Sequence, residues 1–346
     1  MPDDADAAED PHVLVAGECL VDFLPDAPGP LADVESFTRR AGGAPANVAV
    51  GVARLGEPPW FWTRLGTDSF GDHLAETLAE AGVCQRFVER DADAKTALAF
   101  VSREAGDADR DGANASADRE FTFYRDGTAD TRLEPGGVPD AALDSASWVA
   151  LGGVMLAAEP GRTATLDLAE RAAARDCTVV FDPNARPELW PTDAEFAALV
   201  VRMLDRADVV KATPSDLSAA GVEADDPESL AEAVTHFGPH TVLLTLGESG
   251  SVAYATDDAP WGPATATHEG YDVDAVDATG AGDAFTAGAL AAFADGESRL
   301  SAVLSFANAV AATATTGKGA MAALPTREEV AAFRERSERD VDTFRE

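Results

Sequence analysis

The segment DATGAGDAF, Asp277 to Phe285, sets a carboxylate directly behind a glycine-rich turn and at the head of an apolar run, AFTAGALAAF. The run predicts a buried helix, and the backbone N–H groups of Gly280, Ala281 and Gly282 would point outward at its positive end, where an anion is held. A carboxylate is normally repelled from a bound phosphate. Asp283 in this place therefore reads as a base that takes a proton from an incoming hydroxyl, while the cradle stabilises charge on the group being transferred. Glycine followed by aspartate is also an ordinary helix cap, so the reading needs partners elsewhere in the chain.

Several segments offer such partners, each with a plainer alternative. In GGAPANVAV, Gly42 and Gly43 let the backbone approach a ligand closely, and Asn47 offers a donor and an acceptor to hydroxyl groups; the alternative is a turn capping the helix that follows. Asp22, in GECLVDF after the first strand, can accept from two neighbouring hydroxyls or be one more surface acid. FTFYRDGTAD presents Tyr124 and Arg125, which point toward substrate or lie on a solvated edge strand. FDPNARPELW crowds polar residues at the carboxyl end of a strand: Arg186 can neutralise a transferring phosphoryl group or hold substrate oxygens, and Asn184 can contact phosphate or substrate, although Asp-Pro-Asn is often just a turn.

These segments need a scaffold, and the hydrophobic pattern supplies one. Short apolar runs, HVLVAG, FWTRLG, SWVALGG, TVVFD, DVVKA and TVLLTLG, alternate with helix-like stretches at Ala46 to Leu55, Arg162 to Arg175, Ala194 to Leu204 and Leu230 to His236. That alternation predicts an α/β fold with a mostly parallel sheet covered on both faces and ligands at the carboxyl ends of its strands. Residues 19–40 and 96–125 break the rhythm with strand-like pieces that have no helix of their own, and the polar stretch Glu104 to Asp118 reads as a mobile hairpin tip. Glu328 to Glu346 reads as a surface helix that frays.

With 26 basic against 62 acidic residues, the 346-residue chain carries a net charge of −36, which argues against nucleic acid or anionic membrane as a partner. Lys95, Lys211 and Lys318 are its only lysines, and the acids are scattered, as on proteins of salt-adapted organisms. Cys19, Cys84 and Cys177 are widely spaced with no metal-site pattern, which fits a reducing cytoplasm. The acidic start, MPDDADAAED, is unlike a signal peptide, and no apolar run nears the roughly 20 residues that span a bilayer, so a soluble cytoplasmic protein is expected. There is no G-x-x-x-x-G-K-[ST], and the first strand leads into Gly17-Glu18-Cys19 rather than the G-x-G-x-x-G of a dinucleotide site.

Two motifs in order, AGGAPANVAVGVARLG at Ala41 to Gly56 and DATGAGDAF, resemble those of the ribokinase-like sugar kinases, the PfkB family, and the resemblance runs from Val13 to Pro325. Its wording is most like the fructokinases. It implies one domain with a ribokinase-like three-layer α/β/α fold, the two interrupting segments forming a small β-sheet lid, and ATP with Mg²⁺ as cofactors. The resemblance makes Asp283 the base and Asp22 a sugar ligand. Thr245 and Gly247 would lie near the nucleotide phosphates, Lys211 and Gly250 would belong to the same nucleotide site, and Asn308 would border adenine or ribose. Asp277 and Thr279 border a loop that holds a monovalent cation, K⁺, in some relatives. KATPSD departs from the family, which usually has Asn and Glu where this chain has Thr213 and Asp216; Asp216 would then organise Mg²⁺ through water. Fructose is the expected substrate, with 2-keto-3-deoxygluconate as the alternative and a non-catalytic sugar sensor as the reading from another class. Lid strands can pair across a homodimer or stay free.

Overall fold

The six Val- and Leu-rich runs all become strands. The computed structural model describes residues 11–27, 29–102 and 121–343; the connector at 104–118 lies outside them. The main sheet is built from β1 (Val13–Ala16), β4 (Trp60–Gly66), β5 (Val88–Asp91), β8 (Trp148–Gly152), β9 (Thr178–Asp182), β10 (Val209–Ala212), β11 (Thr241–Thr245), β12 (Ser251–Ala255) and β13 (Ala264–His268). Their order is β13-β12-β11-β10-β9-β8-β1-β4-β5. Pairing is parallel from β5 to β11 and antiparallel at β12 and β13. That closing hairpin was not among the expected strands.

Alternation along each strand separates two cores. Val13, Val15, Val180 and Val209 face one layer, while Leu14, Ala16, Val179 and Phe181 face the other. The first layer is filled by α1 (Ala44–Arg54), α8 (Ala281–Ala294) and α9 (Leu300–Thr315). The second is filled by α4 (Gly161–Ala173), α5 (Asp193–Leu204) and α7 (Pro227–Thr235). This is the three-layer α/β/α arrangement expected. Nearly all of α8 after its first turn is buried, as a helix apolar all round must be. α10 (Arg327–Thr343) is the expected C-terminal helix, and the fraying beyond it lies outside the described residues.

A second sheet has the order β3-β2-β6-β7, from β2 (Leu20–Pro25), β3 (Phe37–Gly42), β6 (Leu98–Val101) and β7 (Phe121–Tyr124). Leu20, Ala97, Ala99, Phe121 and Phe123 pack together on one face, and alternation puts Asp22 on that face too. On the other, Phe23 stacks on Phe100, which meets Tyr124 edge-on. In the main sheet the chain builds outward from β1 in both directions, through β4 and β5 on one side and β8 onward on the other. Such a reversal leaves a crevice at the strand ends, which is where ligands bind in open α/β sheets.

Candidate active site

A cleft opens at this reversal. It is lined by Val15 of β1, Ala150 and Gly152 of β8, Asp182 at the end of β9, Pro45 of α1 and Asp283 of α8. Two helices thus start at one place. Gly280, with φ 78°, caps α8 in the left-handed region, and a Cβ there would stand 2.6 Å from that of Ala320, so the turn fits glycine alone. The positive ends of α1 and α8 meet where Asn47 Nδ2 donates to Asp283 Oδ2 at 2.8 Å. Asn47 Oδ1 is buried with no hydrogen-bond partner, an acceptor left for a ligand's hydroxyl.

Asp283 is partly buried in the cleft. Burial lifts its carboxyl from an ordinary 3.8 to about 6, against the pull of the Asn47 hydrogen bond and the Lys211 cation. Lys211 lies beneath the cradle, where a Cβ on Gly282 would come within 2.9 Å of Nζ, and Nζ bonds Asp182 at 3.0 Å. Burial alone would discharge the ammonium, but Asp182, Asp216 and Asp283 surround it and hold it charged. Burial also raises the Asp182 carboxyl, with Lys211 opposing.

Asp22, on the second sheet, lies near this cleft, within electrostatic reach of Asp283 and Arg186. Its carboxyl is pushed up to about 7 by burial, with Arg186 opposing and Asp283 adding to the rise. A Cβ on Gly42 would lie 2.0 Å from Asp22 Oδ2, so the bare backbone of β3 gives this carboxylate its room. Gly43 caps α1. The Arg186 guanidinium sits over the Phe121 ring of β7 at 5.7 Å and bonds the Ala185 carbonyl at 2.8 Å. Asn184 closes an Asx turn on Asp182 at 3.0 Å, with its backbone at φ 41°.

Tyr124 is 62 % exposed on the face of the second sheet opposite Asp22. Arg125 follows Tyr124 out of β7. It is buried, paired through Nε with Asp130 Oδ2 at 2.5 Å, and bonded to the Val154 carbonyl at 3.3 Å. The physical reason is the Asp130 carboxylate, itself buried, which draws the guanidinium inward. Asn308 donates to Ser251 Oγ at 2.6 Å and to the Leu304 carbonyl at 2.8 Å, pinning α9 to β12. Thr245 ends β11, and Gly247 and Gly250 form the turn into β12, closed by Leu246 N–H donating to the Gly250 carbonyl at 2.8 Å.

Asp216 closes a capping box on α6 (Pro214–Ala219): Oδ2 accepts from Thr213 N at 2.8 Å and Thr213 Oγ1 at 2.6 Å, while Oδ1 accepts from Ala185 N at 2.8 Å. Thr-Pro-Ser-Asp carried that signal in the sequence. Asp277 Oδ1 accepts from Thr279 Oγ1 at 2.7 Å and Oδ2 from Gly319 N at 3.0 Å, tying the turn before α8 to the segment after α9. Among the described residues, no three His, Cys, Asp or Glu side chains are grouped to hold a metal by themselves. These bonds take three of the roughly four lone-pair sites of the Asp216 carboxylate and leave one, on Oδ1, that suits a water of a bound cation.

Glu18, overlooked in the sequence among so many acids, is 2 % exposed, with Oε2 buried and unpartnered. Burial raises its carboxyl to about 7, Arg125 opposing. A wider hollow of about 460 Å³ lies at the far end of α8, between Asp295, Arg299, Phe306 and Arg327. It contains none of the residues above.

Comparison with known proteins agrees with this geometry. The pattern of the pfkB family carbohydrate kinases matches residues 10–327. A probable fructokinase-4 from Arabidopsis thaliana is 37 % identical over 326 residues, covering 92 % of this chain and 95 % of the relative. The crystal structure of a fructokinase with bound ATP from Xylella fastidiosa superposes with a TM-score of 0.81 at 32 % identity, over 94 % of this chain and 98 % of that one. A fructokinase double mutant from Vibrio cholerae O395, in a fructose, ADP and potassium ion bound form, gives 0.78 at 30 %, over 94 % and 99 %. The fold is ribokinase-like, the protein is a fructokinase-like sugar kinase acting on a sugar hydroxyl, and the chain belongs to the pfkB family of carbohydrate kinases.

Proposed function

We propose that the protein transfers the γ-phosphoryl group of ATP to the primary hydroxyl of D-fructose, giving fructose 6-phosphate and ADP. The observation that carries this reading is Asp283 at the positive end of α8, lining the cleft, bonded to Asn47 and within electrostatic reach of Asp22. Asp22 and the free Oδ1 of Asn47 supply acceptors for sugar hydroxyls. Asp283 takes the hydroxyl proton as the oxygen attacks phosphorus. The new O–P bond forms while the bond to the bridging oxygen of ADP breaks, and the proton later passes to solvent. The N–H groups of Gly280, Ala281 and Gly282 stabilise charge on the phosphoryl oxygens, with Arg186 and Lys211 as the nearby cations.

Nucleotide phosphates reach this point from the turn at Thr245 to Gly250. The fructokinase of Xylella fastidiosa bound ATP and that of Vibrio cholerae bound fructose, ADP and potassium ion, which supports the same ligands here. Magnesium, when bound, neutralises charge on the β- and γ-phosphates, and Asp216 is the carboxylate suited to order its waters. The second sheet acts as a lid that excludes water, which would otherwise accept the phosphoryl group. Cys19, Cys84 and Cys177 are all unpaired, consistent with work in a reducing cytoplasm.

The test is ADP release by the purified protein with Mg-ATP in KCl, comparing D-fructose, 2-keto-3-deoxygluconate, D-ribose and no sugar. Release strictly dependent on fructose is expected. Preference for the keto acid would overturn the substrate, and sugar binding without turnover would overturn the chemistry.

A further inference from the structure

The Arg125 guanidinium is the feature that the proposed reaction does not use. It stands at the end of β7, where the second sheet meets the main body, and its side chain is 6 % exposed. Nε donates to Asp130, Nη1 to the Val154 carbonyl and Nη2 to Met155 Sδ at 3.2 Å. Asp130 is fully buried on its side-chain atoms and braced by Thr128, whose Oγ1 donates to Oδ1 at 2.5 Å. Glu18 is a second carboxyl near the same cation, and it also feels Asp283. Val154 follows the cleft-lining Gly152 by two residues, and the Glu18 carbonyl stands against Gly43 at the head of α1, so the cluster borders the catalytic cleft with one cation between two carboxyl groups.

A sugar acid needs a desolvated cation for its carboxylate, best supplied by a guanidinium fork. We propose that Asp130 determines the choice between neutral sugars and sugar acids: by holding Arg125 it withholds the cation that a substrate carboxylate would require. Asp283 lines the cleft with Asp22 and Glu18 close by, carboxyl groups that offer an incoming carboxylate no counter-charge, and a neutral polyol loses nothing by this arrangement. The inference rests on the sugar-kinase reading above and deepens it. Glu18 has a supporting role, since loss of Asp130 alone would leave it as the counter-ion to Arg125.

The test uses Asp130→Asn/Glu18→Gln, which keeps both shapes and removes both charges, with D-gluconate as a non-keto acid probe. In the wild type, gluconate should neither raise the melting temperature nor inhibit fructose phosphorylation. In the double variant it should do both, and the ratio of kcat/KM for 2-keto-3-deoxygluconate to that for fructose should rise by about tenfold or more. Adding Arg125→Met should cancel the gain. A folded double variant indifferent to gluconate would overturn the proposal, as would a wild type whose gluconate binding disappears on Arg125→Met. Should the double variant not fold, Arg125→Met/Asp130→Asn, which removes the ion pair as a unit, decides: an unchanged preference ratio supports masking, and a collapsed one shows that Arg125 already served the substrate. The melting shift with gluconate is read without turnover, so failure of the fructokinase reading, seen as no sugar-dependent ADP release, is distinguished from failure of this one.

Discussion

Asn47, the fourth residue of α1, donates its side-chain amide to Asp283, the third residue of α8, at 2.8 Å. One hydrogen bond thus joins the positive ends of two helices whose motifs lie 236 residues apart. It also works on the base directly, because a donor to a carboxylate favours its charged form and opposes the burial that lifts it to about 6. Removing the donor in Asn47→Ala should therefore raise the Asp283 carboxyl further. The acid limb of the kcat profile should move to higher pH, and kcat at pH 7 should fall by about tenfold. A profile with an unmoved midpoint would show that the bond has no bearing on the base.

Asp283→Asn keeps the shape and removes the base, so kcat should drop by roughly 10²-fold or more while the KM for ATP changes little. Stability should move the other way. A carboxyl that titrates near 6 in the folded protein and near 3.8 unfolded binds its proton more tightly when folded. Its contribution is complete below about 3.8 and is lost as pH rises through about 6. The wild type at pH 8 therefore bears a penalty on the order of 3 kcal/mol that the asparagine variant does not. Urea unfolding at pH 8 and pH 4 should show the variant more stable at the higher pH and near parity at the lower.

Much of this was legible in the chain because it is local. The turn Asp277 to Gly282, the apolar helix behind it and the six strands are written in contiguous residues. The alternation of the main sheet follows for the same reason, whereas β12 and β13 form an edge hairpin with no helix between them to mark a crossover. What could not be read were pairings across long separations. Nothing in an Arg125 followed by several acids says which carboxylate captures it, and burial of Asp130 decides. Glu18 looked like one acid among 62 until packing closed over it. Asp216 was legible in a second way, as the end of a Thr-Pro-Ser-Asp capping box, and that local role competes for the oxygens a cation would share.

The contact between Asp22 and Gly42 belongs to the same illegible set, and it makes a sharp expectation. In Gly42→Ala the new Cβ would meet Asp22 Oδ2 at 2.0 Å, well inside contact, so the carboxylate must swing away. If Asp22 holds the sugar, KM for fructose should rise by roughly tenfold or more, as expected for a lost charged hydrogen bond, with KM for ATP unchanged. Equal losses for both substrates would mean a general distortion of β3 instead.

Salt should act on the whole molecule through its charge of −36. Carboxylates crowded at this density repel one another, and screening shortens that repulsion from about 10 Å at 0.1 M to about 3 Å at 1 M. The opposing loss is small: exposed ion pairs such as Arg299–Glu297, with the arginine side chain 76 % exposed, contribute little at any salt. Relief of repulsion therefore wins, and the melting temperature should climb by several degrees between 0.1 and 2 M KCl, about 1 kcal/mol corresponding to roughly 2–4 °C in domains of about 150–250 residues. Sodium chloride should stabilise equally, because screening is indifferent to the cation. Activity is a separate readout: a rate that rises in KCl but not in NaCl would point to a cation held near Asp277 and Thr279, whereas equal rates would leave bulk screening as the whole effect. A melting temperature that falls with either salt would show that ion pairs, and not repulsion, dominate this surface.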